Sequence, residues 1–126
     1  MSLVAILLVI VGGAMGAVAR FWIATAWAKR KPRFPAPTLF VNVTGSLLLG
    51  ALFGALEPDV TKVIDAPVLV FAGVGFCGAY TTFSSFCTEW LGLLDEGIGK
   101  AMAYLGVTVV GCGVAFGAAF WTLQLF

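Results

Sequence analysis

Hydrophobic positions in this chain fall in four long runs, and charged residues mark where the runs end. The runs are Leu3 to Ala28, interrupted once by Arg20, then Phe34 to Leu56, Ala66 to Thr88 and Ala101 to Phe126. Each reaches the length of about 20 residues that a helix needs to cross the hydrocarbon core of a bilayer. The pattern predicts four transmembrane helices with short connections, forming one domain over residues 1–126. Trp22, Trp27, Trp90 and Trp121 lie towards run ends, where indole favours the membrane interface. The first run is read as a span rather than a cleavable signal. Ala17-Val18-Ala19 has the small residues of a cleavage site, but no basic segment precedes the run and its apolar stretch is too long.

The third run carries the strongest local conflict. Gly73, Gly75 and Gly78 fall close together, followed by Thr81, Thr82, Ser84, Ser85 and Thr88. Each glycine weakens a helix by about 1 kcal/mol relative to alanine. The hydroxyls offer the backbone local hydrogen bonds that compete with the helical ladder. A helix interrupted near Gly78–Thr82 is expected. Such a break is tolerated at membrane depth only where it is buried in protein, binds an ion or lines a wet cavity.

Composition narrows the function classes. The chain is 61% hydrophobic and 10% charged, far below the charged share of about 25% in soluble domains. A net charge of +1, with no interleaving of aromatic and basic residues, points away from nucleic acid. Histidine is absent, which removes the commonest general base and metal ligand. No acid pair or activated nucleophile can be assembled, so no enzyme is expected. Cys77, Cys87 and Cys112 are isolated in apolar segments. Without C-x-x-C spacing they are read as small buried residues.

Lys29, Arg30, Lys31 and Arg33 lie between the first two runs, and Lys100 follows the third. Lys62 stands alone in the loop on the opposite side. The positive-inside rule places the basic loops in the cytoplasm and both termini outside. Gly12 and Gly16, Gly50 and Gly54, and Gly113 and Gly117 have the G-x-x-x-G spacing that lets helices approach closely. Packing within the chain and a dimer face are both open readings of these pairs.

Polar side chains inside the runs are costly and tend to face the bundle interior or a pathway. Thr38, Asn42 and Ser46 repeat at i, i+4, i+8 on one face, as do Tyr104, Thr108 and Cys112. Interhelical hydrogen bonding accounts for single hydroxyls equally well. Asn42 needs several partners, because its amide carries two donors and an acceptor. Arg20 either snorkels to the interface or stands as a fixed charge at a vestibule. Glu89 caps, pairs with Arg20 or marks the interface. Phe83 and Phe86, at i and i+3, serve packing. They also present positive ring edges that a small anion can approach without meeting a full countercharge. Conduction requires binding weak enough for the ion to leave.

Three stretches together resemble the Fluc (CrcB) family of fluoride channels. They are G-G-A-M-G-A-V-A-R from Gly12 to Arg20, T-L-F-V-N-V-T-G from Thr38 to Gly45, and G-F-C-G-A-Y-T-T-F-S-S-F from Gly75 to Phe86. Length and four-helix plan agree as well, and the third stretch is the specific one. The resemblance implies an all-α membrane protein that assembles as an antiparallel, dual-topology dimer. It implies two fluoride pathways, a central structural sodium ion, and passive export of fluoride across the cell membrane that reduces fluoride toxicity. By the same resemblance, Asn42 donates to the pathway and Phe83 and Phe86 are its aromatic box. Tyr104, Thr108 and Cys112 form a polar track, joined by Ser46 and Thr38. The carbonyls of Gly78 and Thr81 hold sodium. Arg20 corresponds to a vestibule arginine and Glu89 to the acid after the aromatic box.

Three positions depart from that pattern. Cys112 stands where relatives carry a hydroxyl, and a thiol is a weaker donor. Pro37 and Ser85 replace a glycine and a threonine. The uneven distribution of Lys and Arg between loops also sets a homodimer, in which one chain inserts both ways, against pairing with a homologous subunit of opposite orientation. The homodimer is the expected form because all the pore motifs are present in this chain. A proton-coupled small multidrug transporter is the alternative of another class, but it needs an acid in the first helix, and Leu3 to Ala28 contains none. A non-conducting assembly subunit would need no polar track.

Overall fold

The computed structural model describes residues 2–29, 34–56 and 65–125. Arg30, Lys31, Arg33 and Lys62, on which much of the expected orientation rests, lie outside the described residues. Among the described residues the structure is all-helical, with four helical stretches long and apolar enough to span a membrane: Leu3–Ala28, Ala36–Leu56, Leu69–Glu96 and Ile98–Gln124. α1 is Leu3–Ala28 and α2 is Ala36–Leu56. The third stretch has three parts: a π-helical segment Leu69–Cys77, a single turn α3 (Gly78–Tyr80) and α4 (Phe83–Glu96). α5 is Ile98–Gln124.

Local chemistry sets the ends. Ser2 caps α1, its Oγ accepting from the Ala5 N–H at 3.2 Å, which satisfies one of the otherwise unpaired first-turn donors. Pro37 sits in the first turn of α2, where the missing N–H costs no ladder bond. The sequence run at Phe34 thus begins two positions before the helix does. Between α3 and α4 the backbone is extended, with φ/ψ of −78°/162° at Thr81 and −150°/122° at Thr82. Thr82 then caps α4, its Oγ1 accepting from the Ser85 N–H at 3.2 Å. α4 runs past Thr88, the end of the apolar run, through Glu89 to Glu96. Gly97 alone connects it to α5. Its φ of 141° is open to glycine and strained for other residues, and its N–H returns to the Leu93 and Leu94 carbonyls at 3.0 and 3.2 Å.

Packing pairs the helices. α2 lies along α5, and α1 lies along the π-helical segment. Glycines make both approaches possible. A Cβ at Gly12 or Gly16 would overlap the backbone of Phe71 or Phe76, and one at Gly50 or Gly54 would overlap that of Phe116 or Phe120. These two G-x-x-x-G pairs serve packing within the chain, as close backbone approach requires. Gly113 and Gly117 meet nothing within 4 Å, so this third pair is not used there. At the end where α4 and α5 meet, Phe86, Leu93, Ala101 and Tyr104 form the buried apolar cluster, against which Leu39 and Trp90 pack.

Candidate functional site

The site is organised by the interruption at Thr81 and Thr82. Gly45 lets α2 reach it, since a Cβ there would overlap the Thr81 methyl and crowd the Tyr80 ring. Asn42, just under one turn earlier, engages the Thr82 peptide from both sides. Its Nδ2 donates to the Thr82 carbonyl at 3.0 Å and its Oδ1 accepts from the Thr82 N–H at 2.8 Å. In a continuous α-helix that N–H would return to the carbonyl of Gly78, four residues back. Asn42 has taken its place and released that carbonyl. One Nδ2 hydrogen of Asn42 remains for another acceptor. Arg20, on α1, donates from Nη1 to the Thr81 carbonyl at 3.3 Å. It does not pair with Glu89; the ion pair among the described residues is Lys100 with Glu96.

Three cavities follow one another along this interruption. The first, about 350 Å³, is lined by Arg20, Thr38, Thr82 and Ser85. The second, about 480 Å³, brings together Asn42, Ser46, Phe83, Phe86, Thr108 and Cys112, with Cys77, Gly78, Thr81 and Thr82 also on its wall. No charged side chain lines it. Thr82 belongs to both. A third cavity, about 580 Å³, shares Thr38 and Ser85 with the first and adds Glu89.

Inside the second cavity, Thr108 is 6% exposed and its Oγ1 has no hydrogen-bond partner. Thr44, Thr88 and Thr122 each bond the carbonyl four residues back, the usual resort of a helical threonine. A buried hydroxyl left unpaired costs about 1–3 kcal/mol, and Thr108 carries that cost. The two phenylalanines differ in burial: Phe83 is 77% exposed and Phe86 is 7% exposed, with ring centroids 5.8 Å apart.

The structure divides the polar residues that periodicity grouped. Tyr104 lines none of the three cavities. It is fully buried, its hydroxyl donates to Glu89 Oε2 at 2.8 Å, and Thr38 Oγ1 donates to Glu89 Oε1 at 2.7 Å. Thr38, Glu89 and Tyr104 thus form one cluster tying α2, α4 and α5 together. Asn42, Ser46, Thr108 and Cys112 form another around the phenylalanines. Thr82 and Ser85, legible in sequence only as hydroxyls competing with the helix, line cavities, and Thr82 caps α4. The T-x-x-S spacing of a helix cap was the available signal.

Among the described residues no group of three His, Cys, Asp or Glu side chains stands together. The other donor class for a hard cation is backbone oxygen. The Gly78 carbonyl, released by Asn42, fits that role, and nothing lies within 4 Å of a Cβ built at Gly78. The Thr81 carbonyl already accepts from Arg20 and has its second lone pair free.

Comparison with known proteins agrees with the motifs. The family described as "CrcB-like protein, Camphor Resistance (CrcB)" matches residues 7–120. A protein of Gloeobacter violaceus named fluoride-specific ion channel FluC is 45% identical over 116 residues, covering 89% of each chain. One of Anaeromyxobacter sp. (strain K) with the same name is 44% identical over 118 residues, covering 90% of each. Geobacillus kaustophilus has a relative named fluoride-specific ion channel FluC 1, 40% identical over 109 residues, covering 86% of this chain and 87% of its own. Four apolar spanning helices and relatives matched nearly end to end make this chain a multi-pass membrane protein that belongs to the CrcB-like family.

Proposed function

We propose that the chain is a fluoride-selective channel that exports cytoplasmic fluoride passively and so lowers its toxicity. The observation that carries this reading is the second cavity, uncharged yet supplied with donors, with the unpartnered Thr108 hydroxyl on its wall. Fluoride is a small, strongly accepting anion. Hydroxyls of Thr108 and Ser46 and the remaining Asn42 hydrogen replace part of its water shell through charge-assisted hydrogen bonds. Positive ring edges of Phe83 and Phe86 add attraction without a fixed countercharge, so the ion is released again. Chloride, larger and a poorer acceptor, gains less from the same donors. Arg20 beside the first cavity raises local anion concentration at the approach to Asn42. Thr82 lines both cavities, so that approach adjoins the phenylalanine cavity.

Exposure of Phe83 in the single chain supports assembly with a second, oppositely oriented copy, giving two pathways per antiparallel dimer. In that dimer the carbonyls of Gly78 and Thr81 from both subunits would hold a central sodium ion, since two carbonyls from one chain make an incomplete shell. When bound, sodium supplies a fixed positive charge that ties the two interrupted helices together. The extended Thr81–Thr82 segment is then the functional break of the third spanning helix. Tyr104 and Thr38 act through Glu89, whose carboxylate they hold, while Thr108 and Cys112 stand on the pathway itself. The loop charges favour a second reading of assembly, in which this chain pairs with a homologous subunit inserted the other way.

Fluoride efflux from liposomes containing only the purified chain, with chloride as control, tests the function. Rapid selective efflux is expected. Absence of efflux that is cured by a homologous partner of reversed loop charge would replace the homodimer by the heterodimer. Absence of efflux with every partner would leave a non-conducting subunit, and proton-driven export of an organic cation would leave the small multidrug-type transporter.

A further inference from the structure

We propose that Cys112 anchors a soft-cation site in the second cavity, where a thiophilic d10 ion such as silver(I) binds and closes the anion route. The effect on flux rests on the channel reading above; the binding does not. Two observations carry the site beyond the presence of a thiol. Cys112 is only partly buried, on α5, and lines the cavity together with a second thiol, Cys77. One turn before it, Thr108 presents a hydroxyl that is nine-tenths buried and has no partner. The cavity therefore offers sulfur and an unused oxygen on adjacent turns of one helix.

The chemistry selects the ligand. Thiolate sulfur prefers soft cations, whereas hard cations prefer oxygen, so sodium does not compete for Cys112. No lysine or arginine lines the cavity to repel a cation. Binding breaks the S–H bond and forms an S–Ag bond, and the proton leaves to water, so no oxidant or reductant is needed. The resulting silver thiolate lies in the cavity that Asn42, Ser46, Phe83 and Phe86 also line, the space a permeating anion would use.

The test uses the full chain in liposomes in chloride-free medium, with silver nitrate as the probe and two readouts. Fluoride efflux reports block, and maleimide labelling resolved by cysteine reports occupancy. Silver is expected to stop efflux in the native chain and in Cys87→Ser, to protect Cys112 from labelling in both, and to need a higher concentration for the same protection in Cys77→Ser. Cys112→Ser, compared with its own untreated rate, is expected to lose that sensitivity. Thr108→Val is expected to raise the silver concentration needed for half-protection. Undiminished block in Cys112→Ser, or equal labelling of Cys112 with and without silver, overturns the site. Protection without block overturns its placement on the route. If the untreated chain passes no fluoride, the channel reading fails and labelling alone decides the site.

Discussion

Asn42 holds both polar groups of the Thr82 peptide, with its Nδ2 3.0 Å from the carbonyl oxygen and its Oδ1 2.8 Å from the nitrogen. One side chain thereby replaces the ladder bond that the Thr82 N–H loses at the interruption, and adds a second donor to the carbonyl that begins α4. Asn42→Ala leaves the Thr82 N–H without a partner, at a cost of about 1–3 kcal/mol, while the Thr82 carbonyl keeps its bond within α4. The expected result is loss of fluoride flux with assembly retained, read by efflux and by size-exclusion chromatography. Asn42→Asp keeps the acceptor for the Thr82 N–H but sets a carboxylate oxygen against the Thr82 carbonyl, and should be no more stable than alanine in thermal melts. Full flux in Asn42→Ala would remove Asn42 from the pathway.

Phe83 and Phe86 separate packing from ion contact. Phe83→Ile changes an exposed ring and should leave the thermal stability of the single chain within about 0.5 kcal/mol. Phe86 is buried and its ring centroid lies 5.2 Å from that of Tyr104, so Phe86→Ile should destabilise by about 1–3 kcal/mol. Both should lower fluoride flux if ring edges contact the ion. Native rates in both variants would return the pair to packing.

Glu89 accepts from Thr38 at 2.7 Å and from Tyr104 at 2.8 Å, one donor on each oxygen. Glutamine at this position keeps one acceptor and turns a donor towards the other hydroxyl. Glu89→Gln is therefore expected to cost about 1.5–3 kcal/mol. Tyr104→Phe should cost less once glutamine is already present. Thermal melts of the single and double variants give the coupling, and strict additivity would mean that the carboxylate serves the Tyr104 hydroxyl no better than an amide does.

Gly12 and Gly99 test which glycines are packing sites. A methyl group at Gly12 would overlap the Phe71 carbonyl, whereas Gly99 has nothing within 4 Å. Gly12→Ala should lower stability by about 1–3 kcal/mol through overpacking. Gly99→Ala should cause no loss, because alanine is the better helix former. Equal melting temperatures in detergent for both variants would contradict the contact between α1 and the π-helical segment.

The four spanning stretches were legible because hydrocarbon length and the cost of unsatisfied backbone act on each segment separately. The chemistry around the third stretch was legible in kind for the same reason: clustered glycines and hydroxyls bias a backbone locally. The end of α4 was not legible in the apolar run. Glu89 lies within the helix, its carboxylate accepting from Thr38 and Tyr104, which are distant in sequence. The G-x-x-x-G pairs were equivalent in sequence and became distinct only when two met carbonyls of neighbouring segments and the third met none.

Periodicity could place Thr38, Asn42 and Ser46 on one helical face, because a shared face follows from the rise and turn of a single helix. It could not assign them partners. In the folded chain Thr38 turns to Glu89, Asn42 to the Thr82 peptide, and Ser46 to the cavity it shares with Thr108 and Cys112. Spans, polarity and motif chemistry were thus written in the order of residues. Which donor is satisfied and which is left free was decided only by contacts between segments far apart in that order.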